Sequence, residues 1–176
     1  MTSIALATLG MKVSDNDKAI NVEFRKYMAE LNRLLQFESA TLFLVENETQ
    51  TLKEIAHFGE GIDFINKVHF SMGCGLSAWV AQKGKRIYLA DIHRGSRHGL
   101  NPIRSYLSMP LELNNKIIGV LNLGHLTPNA FDAVNLDPVE HMLKEIARKI
   151  YNITYLNYLS YRRDDSIGSA ATVRVG

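Results

Sequence analysis

Residues 105–125 read SYLSMPLELNNKIIGVLNLGH. Two apolar-rich runs, Ser105–Leu113 and Lys116–His125, flank the pair Asn114-Asn115, and both asparagines tolerate positive φ. The stretch predicts a β-hairpin of two antiparallel strands. If the two asparagines are the whole turn, Leu113 faces Lys116 and every further pair follows in step. Leu107, Met109 and Leu111 then share a face with Asn122, Val120 and Ile118. A side-chain amide in the middle of an apolar strand needs a partner, because burying it alone costs about 1–3 kcal/mol. For Asn122 a ligand is one such partner; a hydrogen bond to Ser105 or to backbone is the other.

Outward from this hairpin the pattern continues. Upstream, SATLFLVE (39–46) and TLKEIAHF (51–58) flank Glu46-Asn47-Glu48-Thr49-Gln50 and predict a second hairpin. Gly59-Glu60-Gly61 makes a corner before a short strand near 67–70. Ser71-Met72-Gly73-Cys74-Gly75 then turns the chain into a short helix over 76–83, stopped by Gly84. Residues 86–92 read as a strand and 93–104 as a loop broken by Gly95, Gly99 and Pro102.

Helices close both ends. Ile20, Phe24, Tyr27, Met28, Leu31, Leu34 and Leu35 recur at helical steps behind the capping run Asp15-Asn16-Asp17, which predicts a first helix over 16–36 after an extension at 1–15. Asp137-Pro138-Val139-Glu140 reads as N-cap, N1 proline and capping-box glutamate. Behind it Val139, Leu143, Ile146, Ile150 and Ile153 carry an apolar stripe along a helix over 137–163, leaving 164–176 as a disordered tail. Hairpin-linked strands with helices at both ends predict a single α+β domain over 1–163, built on an antiparallel sheet.

Composition narrows the function. The chain has 176 residues and a net charge of +2, from 20 Lys+Arg against 18 Asp+Glu. The basic residues are scattered, which gives no electrostatic footprint for nucleic acid. One cysteine, Cys74, excludes an internal disulfide and a multi-cysteine zinc site. No run approaches the ~20 apolar residues of a membrane span, and the N-terminus lacks the basic region of a signal peptide. A cytoplasmic protein is the economical expectation.

From Phe70 to Ile150 the sequence resembles the GAF family of small-molecule sensory domains. The resemblance rests on GCGLSAWVAQKGKR (73–86), Ala90-Asp91-Ile92, IRSYLSMPL (103–111), IIGVLNL (117–123) and Ala130-Phe131, in that order. It implies an antiparallel sheet of about six strands, terminal helices packed on one face and a ligand cavity on the other. Family chemistry carries over only in part. Bilin-binding members use a cysteine in the loop corresponding to 93–104, which has none here. Members that reduce free methionine sulfoxide use several cysteines, against the single Cys74. The Asn-Lys and Asp-Glu pairs of cyclic-nucleotide-binding members correspond to Gly124-His125 and Asn135-Leu136, so that motif is absent.

Within the implied cavity, Leu107, Met109 and Val120 form an expected floor, with Trp79 contributed by the short helix. Asn122, Ser105 and Arg104 would orient a small, mostly planar ligand. Asp91, just before the loop 93–104, and His98 within it complete the candidate set. The loop's basic side chains favour an anionic or carboxylate-bearing molecule. Other readings of these residues are weaker. Asp91, His93 and His98 lack a recognisable metal-ligand spacing, and a Ser77–His98–Asp91 triad lacks a nucleophile elbow. Cys74, between two glycines at a helix start, has the setting for a lowered thiol pKa, but a lone cysteine more often fills a turn.

Tyr151, Tyr155, Tyr158 and Tyr161 make an aromatic stripe on the last helix, which reads as a helix–helix dimer face. The sequence thus predicts a non-catalytic regulatory module, without metal or cofactor, that binds a small molecule and signals through a homodimer of its first and last helices. An output domain or protein would receive the signal. A ligand-free dimerisation module is the alternative, and thiol chemistry at Cys74 the third.

Overall fold

The apolar side chains of both terminal segments and of alternate strand positions converge on one layer. The computed structural model describes residues 13–46, 49–59, 70–71, 75–92 and 103–170, with side chains over 18–46, 49–59, 75–92 and 103–155. The elements are α1 (Val13–Leu35), β1 (Ser39–Glu46), β2 (Thr51–Phe58), β3 (Phe70–Ser71), α2 (Leu76–Lys83), β4 (Ile87–Leu89), β5 (Ser105–Leu113), β6 (Lys116–His125) and α3 (Asp137–Ala170). The sheet runs β3-β2-β1-β6-β5-β4 with every neighbouring pair antiparallel. Its two edge strands are short, β3 with 2 residues and β4 with 3. The chain is α+β, as the sequence implies.

α1 and α3 pack side by side on one face. Ile20, Phe24, Met28, Leu31 and Leu35 of α1 meet Val139, Leu143, Ile146, Ala147 and Ile150 of α3. The sheet contributes Ala40, Leu42, Ala56, Leu107, Met109, Leu111, Leu121 and Leu123 to the same core. Each fully buried Leu, Met or Phe contributes about 1.5–3 kcal/mol. The helices run antiparallel: Lys149 Nζ lies 3.7 Å from Glu23 Oε2, while Tyr27, one turn on in α1, faces Glu145, one turn back in α3. Burial first, then Glu23 and Glu145, pushes the Tyr27 phenol pKa up.

Several boundaries differ from the sequence expectation. The strand expected over 86–92 shrinks to Ile87–Leu89, because Arg86 turns away to bond Glu140 at 2.8 Å. Only Phe70–Ser71 of the strand expected near 67–70 is described. α3 runs past 163 to Ala170, with no proline in 164–170 to stop it. Its start lies one residue earlier than the capping box predicts. Leu136 O accepts the Glu140 amide at 2.8 Å, and Asn135 Oδ1 caps the Asp137 amide at 3.0 Å.

Two β-bulges set the sheet's faces. Between the pairs Leu42↔Ala56 and Phe43↔Glu54, Ile55 of β2 is left without a partner. Between Glu112↔Ile117 and Leu111↔Gly119, Ile118 of β6 is left over in the same way. Asn114 and Asn115 form the turn with φ of 51° and 59°, as their side chains predict.

Candidate functional site

The Ile118 bulge decides which residues meet on the sheet's second face. Past it, Pro110 faces Val120, Ser108 faces Asn122 and Tyr106 faces Gly124. A one-residue slip moves every side chain to the other face. Leu107 and Met109 therefore belong to the helix-side core, while Val120 packs under α2 with Phe43, Leu52, Ala78, Val80 and Ala81. The floor of Leu107, Met109 and Val120 expected from an unbroken hairpin is not formed; these residues lie on opposite faces.

Asn122 finds its partners on its own face. Its Nδ2 donates to Ser77 Oγ at 2.8 Å, and Ser108 Oγ donates to its Oδ1 at 2.7 Å. Ser77 Oγ also lies 3.2 Å from the Tyr106 hydroxyl. Ser77 sits in the first turn of α2, whose end is fixed by Gly84 with φ 64° and its amide bonded to Val80 O. The four side chains are buried, and together they fasten α2 to β5 and β6. Burial pushes the Tyr106 phenol pKa up, against the pull of its bonds to Ser77 and Ser108. The site is consequently built from neutral donors and acceptors. Neither Ser105 nor backbone is the partner expected from the sequence: the Ser105 hydroxyl donates to Thr127 O at 2.9 Å.

The polar row extends beyond α2. Thr41 pairs with Asn122 on one side and with His57 on the other. Thr41 Oγ1 lies 3.2 Å from His57 Nδ1, and His57 Nε2 lies 3.0 Å from Gly59 O. A carbonyl can only accept, so Nε2 donates to Gly59 O. His57, Thr41, Asn122 and Ser108 thus cross β2, β1, β6 and β5 in one line, with Phe43 and Val120 forming an apolar row beside them.

The remaining predicted residues scatter. Arg104 forks onto one oxygen of Asp91, with Nε at 2.9 Å and Nη2 at 2.7 Å. Backbone bonds from Ile92 to Arg104 and from Arg104 to His125 reinforce this clasp. Its guanidinium is held at the base of the segment between β4 and β5, away from Asn122's partners. Trp79 is 40% exposed and, with Leu76, occupies the outer side of α2, since Ser77, Ala78, Val80 and Ala81 are the buried positions. It does not join Val120. His98 and Cys74 lie outside the described residues, as do the side chains of Tyr158 and Tyr161. Among the described residues no three His, Cys, Asp or Glu side chains gather as a metal site.

Sequence reading missed Ser77, Tyr106, Ser108, Thr41 and His57 as neighbours of Asn122. One signal was available: Gly119 follows two isoleucines in a strand, where glycine often marks a bulge or a close backbone approach. A Cβ there would collide with Phe43 O of β1.

Solved structures share this architecture. A type II free methionine-R-sulfoxide reductase from Thermoplasma acidophilum superposes with a TM-score of 0.63 at 15% identity, covering 78% of this chain and 96% of that one. The free methionine-R-sulfoxide reductase of Neisseria meningitidis gives 0.60 at 16% identity, over 82% and 89%. The GAF domain of a two-component sensor histidine kinase from Bacillus halodurans gives 0.60 at 18%, over 80% and 97%. At these identities the likeness is one of fold. No curated protein matches by sequence. The GAF domain family profile matches residues 23–150, spanning the second half of α1, the whole sheet, α2 and the core-forming turns of α3. With that match over most of its length, and with the antiparallel sheet and paired terminal helices such domains share, the chain belongs to the GAF domain family.

Proposed function

We propose that the chain is a non-catalytic regulatory module that binds a small molecule on the α2 face of its sheet and signals through a homodimer of α1 and α3. The observation that carries this reading is the line His57–Thr41–Asn122–Ser108. It places hydroxyl, amide and imidazole groups beside an apolar row, on the α2 side of the sheet and opposite α1 and α3. Such a surface suits a small ligand with an apolar body and few polar atoms. β5 supplies a route outward. Ser108 bonds the α2 side, while its neighbours Leu107 and Met109 pack in the core with α3. A displacement of α2 is thereby passed across one strand to the long helix, and an output domain or protein would read that helix.

The Asp91-bound Arg104 leaves neutral groups to set the ligand's orientation, in place of the anion-reading set expected from the sequence. A ligand-free dimerisation module is the second reading, favoured by the internal satisfaction of Asn122. Thiol chemistry ranks third. The two reductases with similar folds reduce free methionine sulfoxide; in this chain one cysteine would be left as a sulfenic acid with no internal thiol to resolve it.

Native mass spectrometry of the purified protein tests the first reading. A retained small molecule that is lost in the Thr41→Val and His57→Leu variants, which delete polar atoms of that line, supports it. A clean dimer that retains nothing favours the second reading. Cys74→Ser should leave fold and ligand retention intact, and loss of a sulfoxide-reducing turnover in that variant would sink the non-catalytic reading.

A further inference from the structure

A cavity opens at the sheet's edge, on the far side of β5 from Asn122. It has a volume of about 490 Å³ and lies between the Gly84–Arg86 link, β5 and the first turns of α3. Its origin is local. Ile87 pairs with Ser108, so a longer β4 would bring Lys85 opposite Pro110. Pro110 has no amide to offer a neighbouring strand. Arg86 instead crosses to Glu140 at 2.8 Å, and the chain peels away from β5, leaving a wedge. The same missing donor disfavours an added peptide strand there, so a compact molecule is the better occupant.

The wedge has an apolar lining and a cationic rim. Met109, Pro110 and Leu143 line it, together with the exposed Lys85, Lys144 and Glu112. Arg86 and Glu140 neutralise each other. Among the described residues Lys85, Lys144 and Glu112 make no ion pair, which leaves one uncompensated positive charge. The volume falls within the range of small-molecule sites.

We infer that this edge cleft binds a small organic monoanion with an aromatic or aliphatic body, its acidic group held between Lys85 and Lys144. The inference is independent of the α2-face reading, because Met109 and Asn122 lie on opposite sides of the sheet. A ligand here would touch α3 directly, through Leu143 and Lys144, beside the Arg86–Glu140 bond that ties the end of α2 to α3.

The test uses the full chain with ¹³C-methyl methionine and naphthalene-1-sulfonate as the probe. The Met109 methyl resonance should shift saturably with a Kd of about 1 mM or tighter, while that of Met28, buried on the inner side of α1, stays still. Lys85→Glu with Lys144→Glu should weaken binding roughly tenfold or more, as should replacing the probe by uncharged naphthalene-1-methanol. Both lysines are exposed, so the double variant will fold. Asn122→Leu should leave the titration unchanged, separating this cleft from the α2 face. A stationary Met109 signal, or equal affinity after charge reversal, would overturn the inference.

Discussion

Ser108 and Asn122 face each other across the β5–β6 hairpin with Oγ 2.7 Å from Oδ1, and Ser77 of α2 closes the other side of the amide. One side chain thus joins two strands and a helix. Asn122→Leu removes both bonds and leaves buried hydroxyls without their partner. The expected cost is about 1–3 kcal/mol, read as a lower midpoint in urea denaturation. Adding Ser108→Ala should recover part of the loss, because a group with no partner is then removed. An unchanged midpoint in the single variant would mean that the amide is dispensable to the fold.

Gly119 of β6 leaves no room for a side chain against β1. Any Cβ at this position meets Phe43 O and the Leu44 side chain, so Gly119→Ala forces the two central strands apart. Overpacking of this kind costs about 1–3 kcal/mol. The denaturation midpoint should fall, and amide exchange should quicken along the Leu42–Leu121 pairing. A variant with wild-type exchange there would show that the strands absorb the methyl without separating.

Much of the fold was legible because its signals are local. Asn114-Asn115 makes a turn by its own chemistry, and α1 announces its buried stripe through the spacing of Ile20, Phe24, Met28, Leu31 and Leu35. The site was less legible because its decisive features are tertiary. The extra residue Ile118, next to Gly119, shifts the β5–β6 register and reverses the face assigned to Leu107 and Met109. Ser77 bonds Asn122 across 45 residues of sequence, a pairing that no periodicity encodes. Arg104 read as a free cation because nothing in its neighbours' spacing reports its fork onto Asp91. The resemblance to the GAF family supplied the layering of helices and sheet, and the register had to come from the structure.

Tyr88 gives the fold an alkaline limit. Among the described residues its hydroxyl, shut off from solvent, has no hydrogen-bond partner; the Asp132 carboxylate lies near enough to act on it. Burial first, then Asp132, pushes the phenol pKa up to about 12. Between the ordinary value of 10.0 and about 12, the folded chain keeps a proton that the unfolded chain releases. The contribution is therefore whole below pH 10 and is lost as pH rises toward 12. Urea midpoints from pH 9 to 12 should fall along this window, and Tyr88→Phe should flatten part of the fall. At neutral pH the same variant should match or exceed wild-type stability, since it removes a buried hydroxyl with no bond to lose. A neutral-pH loss above about 1 kcal/mol would show that the hydroxyl does have a partner.

The proposed dimer depends on a flank of α3 that the domain leaves unused. At 3.6 residues per turn the helix has three flanks about 120° apart. Val139, Leu143, Ile146 and Ile150 meet the sheet-side core, and Glu145 and Lys149 turn toward α1. Tyr151 and Tyr155 come out on the third, stacked with ring centroids 5.9 Å apart and an interplanar angle of 6°. A stacked aromatic pair on a half-exposed helix flank is suited to the buried centre of an interface. Cutting the chain after Lys149 would also remove Ile150, which is only 5% exposed, and would confuse loss of dimer with loss of core. Tyr151→Glu with Tyr155→Glu avoids this, because both side chains sit outside the core. Light scattering at micromolar concentration should give a dimer for the wild type and a monomer for the double variant, with unchanged far-ultraviolet circular dichroism. A double variant that remains dimeric would move the interface to another surface, with the exposed Val22 and Leu34 of α1 as the next positions to substitute.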